Sequence, residues 1–258
     1  MFKNQRHTEI LEIIKNENYA SVADLSERLF ASQPTIRRDL DLLEKKGFVR
    51  RSHGGAILSD SKMSTPVPFR QSAHTKEKIH ICQLASTLIF SESLIFTDAS
   101  TTVSHIAEFI PQNAKVTVVT NGLMMCRRLM ENNITTIATG GRLLKYSEAF
   151  AGRRAEDAVS DFNADLMIFS ASSLDEDGVI SDFSEEEAIL RRVMHSHSEK
   201  TAFLIDSAKR ESKSAYRIFS LDEVDYVVTD KPLSKKLIDR YRLTVSQQTD
   251  HAILYSRT

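Results

Sequence analysis

The sequence predicts an α/β protein of two domains: a small helical module ending in a basic hairpin, then a larger domain built on a largely parallel sheet. Three observations predict it. Two short amphipathic helices separated by a tight turn lie within the first 57 residues, a Ser- and Pro-containing stretch follows, and from residue 75 onward short β-rich runs alternate with helical ones. At 258 residues, 41% hydrophobic, 27% charged and with a net charge of −1, the composition is that of an ordinary globular chain. No apolar run approaches the ~20 residues needed to cross a bilayer. The opening Met1-Phe2-Lys3-Asn4-Gln5-Arg6 lacks the apolar core of a signal peptide, so the expected location is cytoplasmic. Cys82 and Cys126 sit in apolar helical patterns and read as small buried hydrophobes. The eight glycines cannot be arranged as a dinucleotide fingerprint or a Walker loop, which excludes both as sequence motifs.

Ile10, Leu11 and Ile14 at helical spacing predict a first helix over about 5–16. Ser21 with Asp24 three residues on forms a capping box for a second helix, whose stripe is Val22, Leu25 and Leu29. After Phe30-Ala31, Ser32 begins a third helix, with Pro34 in its first turn, Ile36, Leu40 and Leu43 facing inward, and Gly47 at its end. Two helices so tightly joined make a helix-turn-helix, whose second helix enters the major groove by its N-terminal end. Ser32, Gln33, Thr35, Arg37 and Arg38 lie off the apolar stripe there and are of types that bond phosphates and base edges. The alternative for the two arginines is a solvated face paired with Asp41 or Glu44. Two short extended runs around Gly54-Gly55 predict a wing carrying Arg50, Arg51 and His53. This module, residues 1–58, holds a net +2, against −3 in the remainder.

Residues 59–74, with Pro66 and Pro68, read as an extended linker, and 75–258 as the α/β domain. A helix over 75–89 opens it, and strands are expected at 94–97, 116–120, 135–138, 166–170, 201–205 and 226–229, with a last pair near 244–246 and 253–255. Ligands of open α/β sheets bind past the carboxyl ends of strands. Asp98, Ser100, Thr101 and Thr102, then Asn121, Gly140-Gly141 and Lys209, follow such ends. Hydroxyls and backbone amides at a helix start suit an anion, phosphate in particular, Lys209 adds a positive charge, and Asp98 could take sugar hydroxyls. The bland reading is that these residues are ordinary caps and turns.

Thr35-Ile36-Arg37-Arg38-Asp39-Leu40, Leu43, Gly47 and Arg51-Ser52-His53-Gly54-Gly55-Ala56 resemble the DNA-binding signature of the DeoR family of bacterial transcriptional regulators. Asp98-Ala99-Ser100-Thr101-Thr102, Asp206-Ser207-Ala208-Lys209, Thr120-Asn121, Gly140-Gly141 and Glu186-Glu187-Ala188 are similar to that family's effector domain. The resemblance implies a winged helix-turn-helix joined to a domain similar to ribose-5-phosphate isomerase. It also implies a repressor of a carbohydrate-metabolism operon, acting on operator DNA as a homo-oligomer under the control of a phosphorylated sugar, with no cofactor, no metal and no catalysis. Ser100 replaces the family's glycine, and Ala171-Ser172-Ser173 replaces a glycine-containing turn. Two other readings stand beside it: a regulator whose pocket has decayed, and a sugar-phosphate isomerase-like enzyme.

Overall fold

The computed structural model describes residues 3–17, 19–45, 48–52, 54–58 and 67–257. The chain divides into two units, Met1–Ala73 and His74–Thr258. In the first, α1 (Lys3–Glu17), β1 (Ala20–Ser21), α2 (Val22–Arg28), α3 (Gln33–Lys45), β2 (Val49–Ser52), β3 (Gly55–Leu58) and α4 (Val67–Ser72) follow in order. The expected cap is present: Ser21 Oγ accepts from Asp24 N at 3.0 Å. Ile10, Ile14, Leu25, Ile36, Leu40 and Leu43 are completely buried in one cluster, each such side chain contributing ~1.5–3 kcal/mol. The wing is the β2–β3 ladder, to which β1 adds an unanticipated third strand. His53 and Gly47, expected in the wing and at the end of the third helix, and residues 59–66 lie outside the described residues. The expected linker over 59–74 differs from the structure, which has a helix at 67–72. Pro68 is the reason both readings fit the letters, since proline suits a helix's first turn as well as an extended chain. Thr8 and Ser72 hydroxyls, 3.0 Å apart, join this helix to α1.

The second unit runs α5 (Thr75–Ala85), β4 (Leu94–Thr97), β5 (Thr117–Thr120), α6 (Leu123–Glu131), β6 (Thr135–Ala138), β7 (Arg142–Leu144), β8 (Ala149–Ala151), α7 (Arg153–Ser160) and β9 (Ala164–Ser170). It continues through β10 (Ser173–Leu174), β11 (Val179–Asp182), α8 (Glu185–Ser196), β12 (Ser198–Ile205), β13 (Tyr216–Ser220), β14 (Tyr226–Thr229), α9 (Lys235–Tyr241), β15 (Leu243–Gln248) and β16 (Ile253–Arg257). The main sheet has eight strands in the order β15-β16-β14-β12-β9-β4-β5-β6. Its six strands from β14 to β6 are parallel, and β16 and β15 close one side antiparallel. Both faces are covered. In β9, Leu166 and Ile168 enter a cluster with Ile81, Ile106 and Leu129 on one side, while Met167 and Phe169 enter a cluster with Val159, Leu190 and Leu237 on the other. Burial on both faces is what makes the parallel strands read as continuous apolar runs. Consecutive strands of this kind bring the loops after β12, β9, β4, β5 and β6 to one edge.

Candidate functional site

After β4 the chain winds directly into a short 3-10 helix, Val103–Glu108. Asp98 starts the turn: its Oδ1 accepts from Ser100 N at 3.1 Å, and its Oδ2 accepts from Ser170 N at 3.3 Å and from Arg191 Nε at 2.8 Å. Ser100 Oγ accepts from Val103 N at 3.1 Å, so the hydroxyl that replaces a glycine closes the turn leading into the 3-10 helix. Asp98 thus holds the loop through bonds within its own chain. The next two residues each face an ammonium group. Lys78 Nζ, from α5, is 3.5 Å from Thr101 Oγ1. Lys209 Nζ, from the turn after β12, is 3.3 Å from Thr102 Oγ1 and 3.5 Å from Ser170 Oγ.

Lys78 and both threonines are buried, whereas the Lys209 side chain is 25% exposed and is the reachable cation of the group. Asp206, which is buried, lies 3.6 Å from Lys209 Nζ and has no hydrogen bond to either carboxylate oxygen among the described residues. Deeper in, the buried Arg191 of α8 joins Asp98 to Asp182 Oδ2 at 3.0 Å and approaches Glu187 at 3.9 Å. Burial pushes the Arg191 guanidinium down, but these three carboxylates more than offset it and raise it above its ordinary value.

The remaining expected residues close the same edge. Asn121 donates from Nδ2 to Phe150 O at 3.0 Å and its Oδ1 is buried without a partner among the described residues. A side chain at Gly122 would stand 2.8 Å from Ala99 Cα, so glycine lets the loops after β4 and β5 touch. Gly140 and Gly141 turn the chain at φ of 64° and 106° into the β7–β8 hairpin. That hairpin is tied to α8 by an ion pair of Arg142 with Glu186 and by Tyr146 Oη donating to Ser184 Oγ at 2.6 Å. Sequence reasoning missed Lys78, Arg191, Asp182 and Tyr146. The first two lie in helices where charge reads as solvated surface, and only the tertiary fold buries them.

In the first unit Ser32, Gln33, Arg37 and Arg38 are exposed along the start of α3, with Thr35 half-buried and Arg50 exposed on the wing. Among the described residues Asp41 and Glu44 engage Arg51 and not the helix arginines: Arg51 Nη1 lies 3.7 Å from Asp41, and its backbone N–H reaches Glu44 at 2.7 Å. Asp39, within the motif, is buried and binds Arg6 at 2.6 Å and His7 at 2.7 Å, which ties α3 to α1.

A winged helix-turn-helix carried in one chain with an α/β domain of this kind defines a DNA-binding transcriptional regulator. Residues 6–62 match the DeoR-like helix-turn-helix domain and residues 73–231 match the DeoR C terminal sensor domain, and the chain belongs to the DeoR family. It is 31% identical to the glycerol-3-phosphate regulon repressor of Escherichia coli (strain K12), over 90% of this chain and 92% of that protein. It is 34% identical to the L-fucose operon activator of Haemophilus influenzae, over 91% and 94% respectively. A solved structure, ribose 5-phosphate isomerase A from Neisseria gonorrhoeae, is a distant likeness: 14% identity over 70% of this chain and 75% of that one, TM-score 0.39. Among the described residues no helix is long and apolar enough to cross a membrane.

Proposed function

We propose that the chain represses a carbohydrate-metabolism operon in the cytoplasm as a homo-oligomer, and that a phosphorylated sugar modulates its hold on operator DNA without being chemically changed. The observation that carries the ligand half is the pairing of two consecutive threonine hydroxyls with two ammonium groups, Thr101 with Lys78 and Thr102 with Lys209. Hydroxyl donors, cations and the backbone amides of a helix start together suit a phosphate. The hydroxyls are buried, so the anion reaches them along Lys209, the exposed member. Ser100 Oγ, by contrast, accepts from Val103 N and orders the loop. The names of the two relatives, one tied to a phosphorylated triol and the other to a sugar operon, support the same class of effector. On the DNA side, Ser32, Gln33, Thr35, Arg37 and Arg38 enter the major groove and Arg50, Arg51 and His53 serve the wing.

Fluorescence anisotropy on the protein's own upstream DNA, at two salt concentrations and with a panel of sugar phosphates, tests both halves. If ~8 phosphates are neutralised per dimer, log affinity falls with log salt at a slope near −7. One sugar phosphate shifts the curve by about 5- to 150-fold, the usual range of allosteric coupling. Tight binding that no compound shifts supports the decayed pocket instead. Consumption of an aldose phosphate by the purified protein supports the isomerase.

A further inference from the structure

The turn between α2 and α3 carries a residue at odds with its place. Leu29 ends α2, and the chain reverses through Phe30 at φ of 48°. Phe30 N donates to Glu27 O at 3.4 Å and Ala31 N to Ser26 O at 3.2 Å, the paired bonds of a Schellman motif. The Ser26 hydroxyl donates to Ala31 O at 2.6 Å and fastens the same turn. The residue after the cap of such a motif takes the left-handed region, which glycine occupies freely and which a Cβ crowds in other residues. Eight residues other than glycine lie at positive φ among the described residues; seven are polar or charged, and Phe30 is the hydrophobic one. Its ring is 97% exposed, more than any other large hydrophobic side chain among the described residues. An exposed apolar side chain by itself calls for no explanation. An aromatic that is both unburied and held against its backbone preference adds nothing to the module's own core, so the ring serves a partner.

We propose that Phe30 makes an apolar contact with the 5-methyl group of a thymine in the operator and so helps to set which DNA the protein prefers. Gln33, the first residue of α3, is three positions on, a stretch that the chain spans in at most ~11 Å. A helix that enters the major groove by its N-terminal end therefore carries the ring to the groove with it. From Ala31 to Arg38 the sequence holds two arginines and no acidic residue, and Ser32, Gln33, Arg37 and Arg38 on this stretch are exposed. Such a surface suits a phosphate backbone. On the other side of the turn Arg28 is paired with Asp24 and Glu17, and Glu27 is exposed on α2, so the α3 side of the ring is the one that DNA can approach. The base edges in the major groove present hydrogen-bond donors and acceptors, with one apolar group among them, the thymine methyl. A phenyl ring has neither donor nor acceptor for the rest, so the methyl is the group it reads.

This assignment rests on α3 being the recognition helix. Anisotropy of the full chain on its own upstream DNA, and on the same DNA made with deoxyuridine in place of thymidine, tests it, since the two DNAs differ only in the 5-methyl groups. Glycine suits the left-handed turn, so Phe30→Gly is expected to melt at or above the wild-type temperature by circular dichroism while its operator affinity falls on the order of tenfold. Removing the methyls should weaken the wild type by about fourfold per contact, the equivalent of one buried methyl at ~0.8 kcal/mol. That part of the penalty should be absent in Phe30→Gly, the pattern of a coupled pair in a double-mutant cycle. Other effects of deoxyuridine on the duplex act on both proteins alike and cancel in the comparison. Unchanged operator affinity in Phe30→Gly overturns the proposal, as does a deoxyuridine penalty of equal size in the two proteins. Either result, with a wild type that binds its upstream DNA tightly, removes Phe30 alone and leaves the regulator reading standing. A wild type that binds that DNA no better than random DNA overturns both.

Discussion

Arg191 reaches Asp98, Asp182 and Glu187 from the buried side of α8, so one guanidinium fixes the ends of β4 and β11 together. Removing one partner of a buried ion cluster strands the others, so Arg191→Ala is expected to lose ~3–5 kcal/mol in urea denaturation. Lys209 is different, being partly exposed, and among the described residues its ammonium group meets two hydroxyls and Asp206. Lys209→Ala should cost under ~1 kcal/mol of stability, leave operator affinity intact and abolish the response to effector in the anisotropy assay. A normal response removes the anion site. Asp39 supplies a pH effect in the first unit. Burial pushes its carboxyl up, but hydrogen bonds from Arg6 and His7 outweigh that and hold it below the ordinary range. A depressed carboxyl contributes stability that is complete at neutral pH and is lost as pH falls below ~4 toward its folded value. The protection factors of α1 and α3 amides against hydrogen exchange should therefore fall in that acid window, and Asp39→Asn should remove this part of the dependence.

At the scale of elements, α3 separates its two duties by face. Leu40 is fully buried and Arg37 and Arg38 are exposed, so Leu40→Ala should cost ~2–5 kcal/mol. Either arginine to Ala should weaken DNA binding without loss of fold, reducing the salt slope by about 1 if its contact is to phosphate. Unchanged affinity in both variants removes the recognition-helix assignment. The longer helices were legible in the letters by their apolar stripes and the parallel strands by their short apolar runs, whereas α4, six residues long, was not. The strands β4, β6 and β14 fall at the positions that their β-branched and aromatic runs predict. What was not legible is short or depends on neighbours. β10 has two residues and β7 and β8 three each, too few to show alternation. The loops after β4, β5, β6 and β12 were readable as a strand-end site because small and polar residues cluster there. Lys78 and Arg191 were not, because their burial is decided by helix packing and not by their own spacing.

The whole molecule has two units with separate hydrophobic clusters, one around Ile36 and Leu40 and the others on the two faces of the large sheet. Independent cores favour independent transitions, so calorimetry of the full chain should resolve two. Effector at ~100 times its Kd should add about 2.7 kcal/mol to the second unit, raising only that transition. Movement of both together would mean that the units unfold as one.

The sheet's strand order also governs the timing of synthesis. β4 pairs with β9, which follows it by about seventy residues, and β9 in turn waits for β12. The reading head, by contrast, draws its ladder and core from the first 58 residues. At the usual ~5–20 residues per second, a nascent chain carries a finished head for roughly 10–40 s before its sensor can close. For that interval a finished helix-turn-helix module is joined to a sheet whose central strands still lack their partners.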